Sequence, residues 1–277
     1  MKKFLCVCPL LCLLASLKAQ PVHDFGKLPT RWDEGIPLGN GMLGALIWQK
    51  DDAVRMSLDR ADLWDERPMK GLHRPEFSYD WVKGQVMKKD YKVVQDYFDA
   101  PYDHEPAPTK IPAAALEFRL PHAGDVSKVV LDLEKATAYI IWSSGAAMMS
   151  FVSAEKNVGW FAFDGLREAP DIRLMPPSYQ GKVKNVADPV GGDDLGRLGY
   201  LQGVLDSSAG SLHFTQQGWG DLRYEVFVRF MRPGPGRLIG QWTITRTPEW
   251  FDGSSIALTT AAPLDQADAD KDWLSHK

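Results

Sequence analysis

The sequence predicts an all-β protein built from antiparallel strands, and three observations carry that expectation. Short apolar or alternating runs recur along the chain, each closed off by turn residues. Glycine and proline are abundant for 277 residues, at 24 and 19, and they fall between those runs. Helical spacing is confined to one stretch, residues 79–98. Many short strands punctuated by Gly, Pro and Asp point to a sandwich or barrel and away from a parallel sheet with crossover helices.

Taken in chain order, residues 1–19 read as an export signal. Lys2 and Lys3 give a positive start, and Ala19 offers a small residue before Gln20. Between them residues 4–17 form an apolar run, shorter than the ~20 residues a bilayer span needs. Simple cleavage is the first reading. A lipoprotein anchored at Cys12 is the second, although Leu11 is larger than the residue such a site accepts. The segment holds Lys2, Lys3, Lys18 and all three cysteines (Cys6, Cys8 and Cys12) but no acid, so the exported chain is more acidic than the formal net charge of −4 and has no thiol. Disulfide scaffolds, thiol nucleophiles and zinc–thiolate sites are thereby excluded. The expected location is the periplasm or the extracellular space, with no membrane span.

Residues 20–266 are then expected to form one β domain. Residues 45–48 are apolar throughout, and residues 53–58 alternate, with Val54, Met56 and Leu58 against Arg55 and Ser57. In residues 79–98, Trp81, Val82, Val86, Met87, Tyr91, Val94 and Phe98 recur at helical spacing, which predicts two short helices around Lys89 and Asp90. Pro101, Pro106, Pro108 and Pro112 make the next stretch an extended loop. Strands follow at 115–120, 129–133, 139–142, 148–152 and 160–163, then a long surface loop at 176–199. Residues 222–230 alternate most clearly: Leu222, Tyr224, Val226, Val228 and Phe230 share one face, and Arg223, Glu225 and Arg229 the other. Strands at 238–244 and 256–260 close the series. Residues 267–277 read as the beginning of a helix in which Trp273 and Leu274 have nothing after them to pack against.

Several functions are excluded at this stage. No block of five or six like charges and no basic cluster is present, so nucleic acid is not an expected partner. The stretch from Gly39 to Gly44 matches G-x-G-x-x-G, but a strand follows it where a dinucleotide site needs a helix N-terminus. It reads instead as a tight turn feeding a strand, and no cofactor is expected. The six histidines (His23, His73, His104, His122, His213 and His276) include no i, i+4 pair, so no metal site is expected. No nucleophile elbow or phosphate loop occurs.

Acids gather instead at Asp59, Asp62, Asp65 and Glu66, interleaved with Arg60, Trp64 and Arg67. Carboxylates and arginines beside an indole suit a sugar, whose hydroxyls need paired donors and acceptors and whose C–H face needs an aromatic platform. A solvated turn of mixed charge around one core tryptophan fits the same residues. Two of these acids could serve a glycosidase as acid and base, which depends on their separation. Trp142, Trp160, Trp219, Trp242 and Trp250 fall mostly on strands and read as core.

Residues 36–68 add something more specific. The run from Ile36 to Trp48, then Arg55 to Asp59, then Asp62-Leu63-Trp64, resembles the opening of the N-terminal domain of glycoside hydrolase family 95, the α-L-fucosidase and α-L-galactosidase group. Two departures are visible. Met42 stands where that family commonly has Arg, and Asp59-Arg60-Ala61-Asp62 stands where it has Asn-Glu-Asp, which admits a neighbouring glycoside hydrolase family with the same domain. The resemblance implies a β-supersandwich: two large antiparallel sheets face to face, with the helical insert at 79–98. It also implies a following (α/α)6 barrel that carries the inverting chemistry, so residues 267–277 would begin the linker to it. No catalytic residue is therefore expected in this chain. Asn40, Asp62 and Trp64 are the candidates for a surface that faces the glycan or the barrel, with a structural turn and a core tryptophan as the alternative. A self-standing secreted carbohydrate-binding module, a purely structural domain and the front of a glycoside phosphorylase are the competing functions.

Overall fold

The computed structural model describes residues 21–69, 74–99, 108–180, 194–249 and 270–271. The export segment, the strand expected at 256–260, Trp250, Trp273 and Leu274 lie outside the described residues; within the expected linker, residues 270 and 271 are helical.

Two antiparallel sheets make up the domain. The larger has nine strands, in the spatial order β1 (Val22–Asp24), β8 (Val126–Asp132), β9 (Thr137–Trp142), β10 (Ala147–Val152), β11 (Gly159–Asp164), β16 (Arg237–Thr247), β15 (Arg223–Gly234), β14 (Ser211–Gln217) and β13 (Val204–Ser208). The smaller has five, in the order β12 (Asp171–Met175), β7 (Ala114–Arg119), β4 (Ala53–Arg60), β3 (Leu43–Lys50) and β2 (Ile36–Gly39). A two-stranded ribbon pairs β5 (Trp64–Asp65) with β6 (Thr109–Lys110), inside the stretch expected to be loop. The prolines at 108 and 112 bracket β6 and hold it to two residues. Most of the larger sheet is built by strands pairing with their chain neighbours. The exceptions are β1, which pairs with β8, and β16, which inserts between β11 and β15 and is the only join between the two halves of that sheet among the described residues.

The two sheets face each other, with β2 and β3 against β9 and β10 at one end and β12 against β14 at the other. The alternation in 222–230 works as expected: Tyr224, Val226 and Val228 point into the shared core, while Arg223 is exposed. Phe118 from the smaller sheet sits between Phe161 and Phe163 of the larger, with ring centroids 4.9 and 5.3 Å apart. Each fully buried side chain of this size contributes roughly 1.5–3 kcal/mol, so these rings are a main tie between the sheets. Two cross-strand pairs set an aromatic over a glycine, Phe161 over Gly240 and Trp242 over Gly159. A Cβ at Gly240 would lie 2.1 Å from the Phe161 ring, and one at Gly159 would lie 2.1 Å from the Trp242 indole. Both glycines are required by that close approach and not by their dihedrals.

The larger sheet also carries apolar residues on its outer face. Phe151, Val158, Trp160, Ala162 and Ile239 form a second buried cluster there, packed with Met149, Phe227 and Met231. Strand β11 is thus buried on both faces, which is why residues 160–163 read as continuously apolar and not alternating.

The helical insert forms as expected, as α1 (Tyr79–Met87) and α2 (Tyr91–Phe98). Ser78 caps the first, its Oγ accepting from Trp81 N at 3.3 Å, and Asp90 caps the second. Lys89 turns the chain between them at a φ of 62°. The helices hold each other through aromatic contacts, Trp81 on Tyr97 at 5.2 Å and Phe77 on Phe98 at 4.5 Å. No helix among the described residues is long and apolar enough to cross a membrane.

Candidate functional site

Strand β4 ends at Arg60, and the chain then crosses the open end of the sandwich through residues 61–67. Each acid that the sequence singles out here meets a cation. Arg60, fully buried, grips Asp62 with two parallel bonds: Nε to Oδ1 at 2.6 Å and Nη2 to Oδ2 at 3.1 Å. Its Nη1 donates to the Ile244 carbonyl at 2.9 Å, on β16 of the opposite sheet. Arg60 and Asp62 are therefore a clamp between sheets, and Asp62 is closed off from any ligand at 1% exposure.

A second clamp follows at once. Asp65, also fully buried, accepts from the Arg67 guanidinium (Nε to Oδ1 at 2.9 Å, Nη2 to Oδ2 at 2.6 Å) and from its backbone N–H at 3.0 Å. Its Oδ2 also accepts from the Tyr200 hydroxyl at 2.7 Å, and Tyr200 in turn accepts from Trp219 N at 3.1 Å. Glu66 meets Arg246 of β16 at 3.2 Å. Asp59 remains on the surface, where Lys110 Nζ reaches it at 2.5 Å and also donates to the Arg60 carbonyl at 2.6 Å.

Asn40 has a structural task as well. Its Oδ1 accepts from Met42 N and Leu43 N at 3.0 and 2.8 Å and shapes the turn between β2 and β3, where Gly41 takes a φ of 91°. Its Nδ2 donates across to the β10–β11 turn, to Ser153 O at 2.9 Å and Lys156 O at 3.1 Å. The glycine-rich phrase is thus a turn feeding a strand, and no helix N-terminus opens from it. Trp64 alone of the three candidates faces solvent, at 40% exposure, with its Nε1 donating to Ala61 O at 3.1 Å. Trp219, expected as core, is 46% exposed, whereas Trp142, Trp160 and Trp242 are buried as expected.

These pairings decide what the cluster can do chemically. A general acid or base must trade a proton with substrate, and carboxylates buried at 0–1% exposure in bidentate pairs with arginine are out of a substrate's reach. The residue pattern missed two contributors, Tyr200 and Arg246, which reach the cluster from far along the chain. The spacings Arg60-x-Asp62 and Asp65-x-Arg67 were the available signal for internal pairing. Among the described residues, no group of three or more His, Cys, Asp or Glu side chains gathers as a metal would need.

Three tyrosines near this end make a titration test. Burial, helped by the bond to Asp65, raises the Tyr200 hydroxyl above its ordinary value, and burial likewise raises Tyr224 and Tyr179. Unfolding releases these protons near the ordinary tyrosine value of 10.0, while the folded chain keeps them. Their contribution to stability is therefore whole below about pH 10 and declines as pH rises above it. Urea midpoints measured across about pH 8 to 12 should fall above pH 10, with tyrosinate absorbance from these residues appearing only as the chain unfolds.

Residues 25–170 match the family model described as glycosyl hydrolase family 65, N-terminal domain, which is more than half of the chain. The chain belongs to this family. The family 65 N-terminal domain match runs from just after β1 through β11 and takes in the Asn40 turn, both clamps of the acidic segment and the helical insert. It assigns the chain to a glycoside hydrolase N-terminal domain, and hence to glycans as the substrate class. No curated protein matches the chain.

Proposed function

We propose that the chain is the N-terminal, non-catalytic portion of an exported glycoside hydrolase resembling the α-L-fucosidases of family 95. The observation that carries this reading is the capture of Asp62, Asp65 and Glu66 by Arg60, Arg67 and Arg246 within a glycoside hydrolase N-terminal domain. The phrase at 36–68 is what favours family 95. In this reading an (α/α)6 barrel of the same protein performs the hydrolysis, and the supersandwich supports it. The chain alone should release no nitrophenol from 4-nitrophenyl α-L-fucoside, whereas the product of the full reading frame should do so with inversion. Turnover by the chain alone overturns the non-catalytic assignment. Phosphorolysis, or hydrolysis of other glycosides only, overturns the fucosidase assignment. Export is checked by N-terminal sequencing of the mature protein, which should begin at Gln20.

A self-standing secreted carbohydrate-binding module is the second reading. Two exposed indoles among the described residues favour it: Trp64, beside Asp65, and Trp219 are joined through the bonds of Tyr200 to Asp65 and to Trp219 N. A native protein no larger than 31.0 kDa would favour this reading over the first.

A further inference from the structure

We propose that a cleft on the outer face of the five-stranded sheet binds a single pyranose unit of a glycan. The ligand class rests on the glycoside hydrolase reading; the site itself rests on geometry. The cleft holds about 320 Å³, the small end of the ~300–1,000 Å³ usual for ligand sites. Its floor is the β3–β4 pair, where Gly44 stands opposite Asp59 and Leu46 opposite Ser57. Trp32 joins it from the β3 side and Lys110 from the β4 side.

Gly44 is the source of the room. Its backbone is not left-handed, and a Cβ there would meet nothing nearer than the Leu38 carbonyl oxygen, at 3.8 Å. Neither conformation nor crowding calls for glycine at this position, so the space a side chain would fill is the cleft itself.

Three hydrogen-bonding groups at the cleft have capacity left over among the described residues. Ser57 is only 8% exposed; its Oγ accepts from Trp48 Nε1 at 3.1 Å and donates to no described acceptor. Asp59 spends Oδ1 on Lys110 and leaves Oδ2 open. Lys110 spends two of its three N–H donors, on Asp59 and on Arg60 O. Adjacent ring hydroxyls match an ammonium that donates to one oxygen and a carboxylate that accepts from the next. Leu46 and the Trp32 indole offer the apolar surface that a pyranose C–H face requires.

The test is titration of the folded chain with methyl α-L-fucoside, methyl β-D-galactoside and methyl α-D-glucoside, read by calorimetry and tryptophan fluorescence. At least one should bind saturably, with a Kd of roughly millimolar order. Gly44→Val and Asp59→Asn should each weaken that binding at least tenfold with the melting temperature unchanged. Should Gly44→Val fail to fold, the exposed Asp59→Asn decides alone. No saturable binding by the wild-type chain, or binding that both variants leave intact, overturns the site. Hydrolysis by the full-length protein is read separately. Hydrolysis without cleft binding sinks the cleft only, and cleft binding without hydrolysis sinks the hydrolase reading only.

Discussion

Asp62→Ala is expected to lower the stability of the domain by about 3–5 kcal/mol, the usual cost of removing one member of a buried ion pair. The reason is what stays behind. Arg60 is fully buried, and without Asp62 two of its donors lose their partner while its charge remains in the interior. The Ile244 carbonyl engages one nitrogen, and Glu249 stands 3.8 Å away, too distant for a hydrogen bond. Replacing both residues, as Arg60→Met with Asp62→Leu, should recover much of the loss, because the desolvation cost disappears with the charges. Urea unfolding of the single and double variants measures this directly. If Asp62 served only to hold a sugar, the single variant would keep its midpoint and lose only affinity.

Asn40→Ala should cost about 2–4 kcal/mol, because one amide satisfies groups in two turns at once. Truncation frees the N–H groups of Met42 and Leu43 and the carbonyls of Ser153 and Lys156. Asn40→Asp separates the two halves of that task. It keeps an acceptor for the N–H groups but sets a negative charge against two carbonyl oxygens, so it should also destabilise. Thermal melts of both variants, beside a surface control such as Lys128→Ala, check this prediction. A midpoint unchanged in Asn40→Ala would move Asn40 from the frame of the protein back to its ligand surface.

The fold was legible where local pattern and tertiary role agree. The alternation at 222–230 and the apolar run at 45–48 each mark a strand because one face must meet the other sheet. The helices at 79–98 could be read because their apolar spacing and the Asp90 cap are local features. Strand β13 was missed because it is exposed at every residue, so no buried face writes a period into its sequence, and β14 because it buries only Phe214 and the polar Gln216. The two-residue strands β5 and β6 are too short to carry any period.

The site was only half legible, for a chemical reason. Carboxylates and arginines beside a tryptophan are the vocabulary of sugar recognition and of interior clamps alike. What distinguishes them is the third partner. Arg60 finds its partner at Ile244, 184 residues away, and Asn40 finds one at Ser153, 113 residues away. Tyr200 lies 135 residues from Asp65. Nothing near Asp62 or Asn40 in the sequence signals those distant partners. Trp64 kept the exposed position that a ligand surface allows, and Asp59 lies at a cleft whose floor depends on a glycine first read as part of a turn motif.

The place of β16 in the larger sheet has a consequence for how the chain acquires its shape. Early strands from β8 to β11 and late strands from β13 to β15 can each form a meander from neighbouring segments. The two meanders share no ladder until Arg237–Thr247 threads between them. As the chain leaves the ribosome, β11 and β15 therefore wait with open edges, the condition under which strands pair with the wrong neighbour. The contact from Arg60 to Ile244 also depends on this segment. Among the described residues the larger sheet is thus whole only when β16 is in place, and a sheet lacking it has unsaturated strand edges on both sides of the gap.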